Sequence, residues 1–459
     1  MLNHTPFVVL LWVATFFATP TNDVVEHFPS GEVQREYQTN DAGERDGSFV
    51  EYALDGSILI KAHYANGELH GREQRFQPDG KKILVATWKR GVLDGRHETF
   101  HANGKKAITC GYRNGELAGK YTRSSEDGSW VMNAVYNAGK LNGNLKVRDD
   151  GKVVAQQVWK NGELLNLDGI VPFPRSSPDL IAELVRAQHQ PVTGDESEQE
   201  RVLALHRLQT YRALCGLNWQ GMTLVPEWNE CCAAAAELCR RLGRLSHTPE
   251  RLPDTDEELY NQGYRGASSS NLSMGTSLPG SIDSYMDDSD PSNVDRVGHR
   301  RWCINPTMLK TGFGRSGGFS AMWSFDTSGK PIQGMDAVMF PPAGFVPTQM
   351  FGSHYAWSIT PLKGSLPKVD SISVTMQKLG ELYLPDGDPV PVESVMVDPG
   401  SYGAGPTLIF EPQGIVVGAG NAYRCRVSYD GGRSYAFDYV VAFVSDERLE
   451  CKQSSDSRL

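Results

Sequence analysis

The sequence predicts a multidomain chain: an all-β array of stacked hairpins, then an α+β domain, then a β-sandwich. Three observations predict it. Glycines recur with a period of 24 across residues 28–166; two amphipathic helical stretches precede short strands over 200–333; and turn-separated apolar alternation runs over 334–447. The length of 459 residues suits two to four domains at roughly 100–200 residues each. A hydrophobic content of 39% excludes a wholly disordered chain, which lacks the apolar surface to offset ordering entropy. The balance of 45 Lys+Arg against 55 Asp+Glu, a formal charge of −10, argues against general nucleic-acid binding, where Lys and Arg must neutralise phosphates.

The first element is the apolar run Phe7 to Ala18, FVVLLWVATFFA. It is too short to cross a bilayer, which needs about 20 apolar residues, and it reads as the core of a signal peptide over 1–19. The fit is imperfect, because no Lys or Arg precedes it and the small-residue cleavage pattern is blurred around Ala18, Thr19 and Pro20. A buried N-terminal strand or helix is the alternative. No later stretch has the length and apolarity of a membrane span, and no Cys follows the run to carry a lipid. The expectation is a secreted protein, extracellular or in the periplasm or cell envelope, with no transmembrane segment.

Over 24–166 three glycine registers run in one phase: Gly56, Gly80, Gly104 and Gly128; Gly67, Gly91, Gly115 and Gly139; and Gly47, Gly71, Gly95, Gly119 and Gly143. Asp-Gly and Asn-Gly favour tight turns because Gly, and less readily Asn or Asp, accepts positive φ. The runs between them are of strand length, so each repeat is a β-hairpin and the hairpins stack into one elongated antiparallel sheet. Tyr52, Phe76 and Phe100, with Tyr64, Trp88, Tyr112, Tyr136 and Trp159, recur in phase as the packed face of that sheet. The unit, as in Phe76 to Gly95 (FQPDGKKILVATWKRGVLDG), resembles bacterial MORN-type repeats. That resemblance implies a scaffold or adhesion surface with lipid or protein contact. A plain spacer is the competing reading.

Residues 167–199 read as a linker, with three prolines in Val171 to Asp179, a short helix over Leu180 to Gln188 and an acidic stretch at 194–200. Helical periodicity resumes in Val202 to Leu214 and in Trp228 to Leu242. The loop GRLSHTP (243–249), then SSNLSMG (269–275), SIDSYMDD (281–288), GHRRWCINP (298–306), LKTGFG (309–314) and the strand AMWSFD (321–326) follow. Helices first and short strands after indicate an α+β layout.

The order of YRALCGL, LSHTP, SNLSMG, GHRRWCINPTMLKTGFG and AMWSFD resembles the CAP superfamily (cysteine-rich secretory proteins, antigen 5 and plant pathogenesis-related proteins), in its bacterial SCP-like branch, over about 200–330. The resemblance implies an α-β-α sandwich and a surface cavity lined by two His and two acids. Carried over by motif, the histidines are His247 and His299. The first acid position, before Asn271, holds Ser270 here, and the second falls on Asp288. Ser270 removes one carboxylate. The ligand cavity expected is His247, His299, Ser270, Asn271 and Asp288, with His247 and His299 as metal ligands and Zn as the candidate ion. Two neutral imidazoles and a carboxylate hold a divalent ion only if they converge in space. Without the family match, His247 and His299 are ordinary capping or packing residues, as His206 and His354 are. The basic run Arg296, His299, Arg300 and Arg301 suggests an anion site, but solvated helix-end charge is the preferred reading because cations suit last turns, and Trp302 reads as core. A Ser-His-Asp triad using Ser246 or Ser270 lacks the G-x-S-x-G elbow.

Eight cysteines occur without a CxxC, so structural zinc is not supported. Disulfides stay open, with Cys425 and Cys451 the first pair to test. SISVTM (371–376), TLIF (407–410), YRCRVSY (423–429) and YVVAFV (439–444) suggest an Ig-like β-sandwich over 334–447, and 448–459 read as a disordered tail. Two functions remain open. One is a non-enzymatic extracellular or envelope binding or adhesion protein whose cavity holds a divalent metal or a small apolar ligand, with a partner in the envelope or on a lipid or cell surface. The other is a metal-dependent, peptidase-like hydrolase. Ser270 favours the first, because a hydroxyl is no general base near neutral pH. No catalytic residue is assigned.

Overall fold

The computed structural model describes residues 22–173, 178–188, 191–330 and 332–445. The apolar run at Phe7 to Ala18, Cys451 and the tail 448–459 lie outside the described residues. The chain divides into two compact units, Met1–Gly169 and Ile170–Leu459.

The first unit is one antiparallel sheet of 16 strands, from Asn22–His27 to Glu163–Leu167. It is the hairpin stack that the glycine phase predicts, and two turn types alternate along it. At Asn66-Gly67 and Asn114-Gly115 both residues have positive φ (49° and 80°; 49° and 84°), the pair that a type I′ hairpin turn demands. The other turns carry a side-chain clasp. Asp55, Asp79, Asn103 and Asp127 accept the backbone N–H two residues on at 2.9–3.0 Å, satisfying a turn donor that the ladder leaves unpaired.

The third glycine register has a different task. Gly47, Gly71, Gly95, Gly119 and Gly143 pair across the ladder with Tyr64, Trp88, Tyr112, Tyr136 and Trp159. Each bare glycine thus lies opposite an in-phase aromatic, the arrangement in which a ring covers a glycine on a sheet. A Cβ at Gly95 would lie 3.0 Å from the Thr87 Cβ. The register Glu73, Ala86, His97, Cys110 sets one face, on which Ala86 and Cys110 are buried. Glu73 is buried there too, and its carboxylate is satisfied by the Trp88 Nε1–H at 2.8 Å and Arg75 Nε at 2.7 Å.

The second unit carries helices α1 (Pro178–Gln188), α2 (Glu196–Leu214), α3 (Pro226–Leu242), α4 (Glu257–Ser268), α5 (Leu278–Asp287) and α6 (Gly298–Cys303). Helices α2 to α5 pack against a three-stranded sheet ordered Ser270–Met274, Phe319–Trp323, Phe313–Ser316. Alternation along the central strand divides the helices. Ala321 and Trp323 join Cys232, Ala235 and Ala267 of α3 and α4, whereas Met322 joins Leu208 of α2 and Ile282 of α5. Helices therefore cover both faces. The small residues of α3 permit close approach: a Cβ at Gly314 would lie 2.0 Å from the Ala233 backbone nitrogen.

Two four-stranded sheets follow. One is ordered 337–340, 357–361, 407–412, 392–398 and the other 344–347, 437–444, 422–428, 373–379. Trp357 and Phe410 of the first meet Tyr439 and Tyr423 of the second in one core, which continues through Ile181 of α1 and Ala204 and Tyr211 of α2. The segment read as a linker so contributes α1 to this core. The fully buried Trp357 stands at its centre, where truncation to Ala costs about 3–5 kcal/mol. Seven cysteines are free and buried among the described residues, and burial pushes the Cys232 and Cys425 thiols up to about 12, so they act as small apolar side chains.

Candidate functional site

Gly243 ends α3 in the left-handed region (φ 67°), where its N–H and that of Arg244 close on the Arg240 and Cys239 carbonyls. The chain turns back there into the loop that carries His247. The His247 Nδ1–H donates to the Ala267 carbonyl at the end of α4, at 2.9 Å. Asp256 caps α4 by accepting from the N–H groups of Glu258 and Leu259, which fixes the helix that supplies that carbonyl.

His299 is placed from the other side. Helix α5 ends at Asp288, in the left-handed region (φ 49°) that Asp tolerates, and the turn aims its carboxylate at α6. One oxygen accepts the His299 Nδ1–H at 2.8 Å; the other accepts the Arg300 N–H at 3.2 Å. Val297, just before α6, also has positive φ (41°), a strained state for a β-branched residue. Its complete burial against Ala356 and Ile409 holds it there. The Asn271 Nδ2–H donates to the His299 carbonyl at 2.9 Å, and the Tyr285 hydroxyl donates to the Asn271 carbonyl at 3.1 Å.

His247 and His299 line one cavity of about 350 Å³, together with Ser270 and Asn271. Of the five residues expected from the sequence, Asp288 is not on the wall. It is buried behind His299, where it orients the ring. Both imidazoles are thus tied back through Nδ1, which fixes the proton there and leaves Nε2 as the free acceptor. Ser270 is buried, with its hydroxyl 3.5 Å from the Cys232 Sγ and so engaged with the core.

The remaining wall is made by residues that sequence reasoning placed elsewhere or passed over: Arg296, Trp302, Phe325 and Tyr402, with Ser268, Asn293 and Gly298. Trp302 packs on Phe325 with ring centroids 4.5 Å apart, so it is wall and not only core. Tyr402 comes from the loop after strand 392–398, about a hundred residues away in sequence, and fits because Gly298 has no side chain: a Cβ there would lie 3.2 Å from the ring. The reading of the basic run as solvated charge fails for two of its members. Arg300 is fully buried, donating to the Met286, Ala356 and Asp287 carbonyls; Arg301 is fully buried against Asp398 and the Gly400 and Gly405 carbonyls. Only Arg296 of the three is exposed, and burial lowers the Arg300 pKa to about 10 without discharging it at neutral pH.

A zinc site requires three protein ligands even when one position stays open. The wall offers two imidazoles and no carboxylate or thiolate, and among the described residues no group of three His, Cys, Asp or Glu converges to hold a metal. The donor set therefore does not fit zinc. A scan against protein-family models finds no match for this chain, and a search of curated proteins finds none either.

Proposed function

We propose that the chain is an exported, non-enzymatic binding protein of the CAP type, with a MORN-type repeat array ahead of the binding domain. The helices on both faces of the three-stranded sheet support the α-β-α reading, and the alternating hairpin turns support the repeat reading. The apolar run at Phe7 to Ala18 supports export, and no helix among the described residues is long and apolar enough to cross a membrane. The observation that carries the function is the cavity wall. It holds two imidazoles presenting acceptor nitrogens, a guanidinium and three aromatic rings, and no nucleophile poised against a base.

One feature favours the hydrolase: His299 oriented by Asp288 is a base and its orienting group. The partner such a base needs is missing. The Ser270 hydroxyl is engaged with Cys232, the Ser268 hydroxyl donates to the Arg265 carbonyl, and Ser246 does not line the cavity. Incubating the purified chain with chromogenic esters and peptides, with and without zinc chloride, tests this directly. The expected result is no turnover in wild type or in the His247→Ala/His299→Ala variant. Turnover in wild type that the double variant abolishes would overturn the binding reading.

A further inference from the structure

Three neighbouring arginines meet different fates in this fold. Arg300 and Arg301 are consumed by buried carbonyls and by Asp398, whereas the Arg296 guanidinium reaches the cavity. Among the described residues its side chain has one hydrogen bond, from Nη2 to the Asn293 Oδ1 at 3.1 Å. Asn293 is itself held by Asp290, to whose carboxylate its Nδ2–H donates at 2.7 Å. The Arg296 carbonyl accepts from Arg301 Nη1 at 3.2 Å, so the backbone under this cation is fixed as well. Four of the five guanidinium N–H donors are left for a ligand. No carboxylate lines the wall to compete for them; of those behind it, Asp288 is occupied by His299 and Arg300, and Asp290 by Ser292 and Asn293.

We propose that this cavity takes a hydroxylated organic carboxylate, and not a divalent cation: Arg296 receives the carboxylate, the Nε2 atoms of His247 and His299 accept from its hydroxyl groups, and Trp302 and Phe325 cover its apolar face. The inference rests on the binding reading above and names the ligand class. Each part follows from the chemistry of the wall. A guanidinium matches a carboxylate as a two-donor fork, stronger and more selective than neutral contacts. A neutral imidazole with Nδ1 already donating is an acceptor at Nε2, which a hydroxyl satisfies and a second anion does not. The paired rings of Trp302 and Phe325, the latter 51% exposed, offer flat apolar surface at the mouth. A volume of about 350 Å³ lies at the small end of ligand pockets, sized for one sugar or one aromatic ring. Acidic sugars and phenolic acids share this chemistry.

Calorimetry on the full chain separates the sources and tests the charge. D-glucuronate is compared with methyl glucoside, and para-hydroxybenzoate with phenol. At least one carboxylate binds at least about tenfold tighter than its neutral counterpart, and whichever arm responds identifies the source. Arg296→Gln removes that preference while leaving the melting temperature unchanged, and equimolar zinc chloride displaces nothing. Equal binding of acid and neutral probes, binding of none of them, a preference that survives Arg296→Gln, or displacement by zinc would overturn the inference. These outcomes leave the binding reading standing, since only metal- or histidine-dependent turnover removes that.

Discussion

Arg301 links the cavity to the β-sheets behind it, and its replacement gives the most demanding prediction. Its guanidinium pairs with Asp398, donates to the Gly400, Gly405 and Arg296 carbonyls, and lies 5.0 Å from the Tyr402 ring centre. The Arg301 side chain is 1% exposed and that of Asp398 17%. Breaking a buried ion pair by removing one partner costs about 3–5 kcal/mol, because the other charge is left uncompensated. Asp398 keeps the Gly400 N–H at 3.2 Å and some water, so the low end applies and Arg301→Met, which keeps the apolar volume, costs about 3 kcal/mol. Urea denaturation of the full chain should show the midpoint of the second unit's transition falling with its slope unchanged. A double-mutant cycle with Asp398→Asn should give a coupling of about 1.5–3 kcal/mol. A loss below about 1 kcal/mol, or additive single effects, would refute the reasoning, since the pair would then behave as an exposed one.

Other perturbations follow from the same geometry. Glu237 is held at about 2 by hydrogen bonds from Arg240, the Ser316 hydroxyl and Arg241, against 4.5 when free, so its stabilisation is present above pH 4.5 and is lost as pH falls towards 2. Glu237→Gln should cost roughly 1 kcal/mol at neutral pH, allowing for solvent screening, and the gap to wild type should close on acidification; a gap independent of pH would refute the ion-pair account. Gly266→Ala places a Cβ 2.0 Å from the Cys231 carbonyl oxygen and should destabilise by about 3 kcal/mol, while Gly318→Ala, with nothing within 4 Å, should stay within about 0.5 kcal/mol; equal effects would contradict the α3–α4 contact. Ala138 occupies a positive-φ turn position (φ 47°) where two other repeats place Asn66 and Asn114, so Ala138→Asn should stabilise the repeat sheet by about 0.5–1 kcal/mol in the same melts, and a loss would refute the turn assignment.

Local chemistry made much of this fold legible. A glycine phase shared by three registers specifies turn, strand and turn again, because positive φ is a property of single residues and their neighbours. The same holds for α3, whose alanine-rich stretch and terminal Gly243 mark both the helix and its end. His247 and His299 were accessible through motif order. Their common cavity was expected through the resemblance alone, because no local signal fixes it: it depends on where α4 and α5 end. The fate of the basic run was hidden for the same reason: Arg296, Arg300 and Arg301 are alike in sequence, and only the carbonyls and Asp398 brought up by distant strands distinguish a cavity cation from two buried anchors. Tyr402 carries no local signal at all, because its role comes from a loop meeting Gly298.

The central claim is that two imidazoles, each tied back through Nδ1, present acceptor Nε2 atoms to one cavity. Long-range proton–nitrogen correlation on the full chain with ring-labelled histidine at pH 8 reads it directly. The account predicts Nδ1–H tautomers for both His247 and His299, a change at His299 alone in Asp288→Ala, and both Nε2 signals moving with one dissociation constant when the carboxylate probe that binds is added. An Nε2–H tautomer at either ring, or a response confined to one of them, would contradict it.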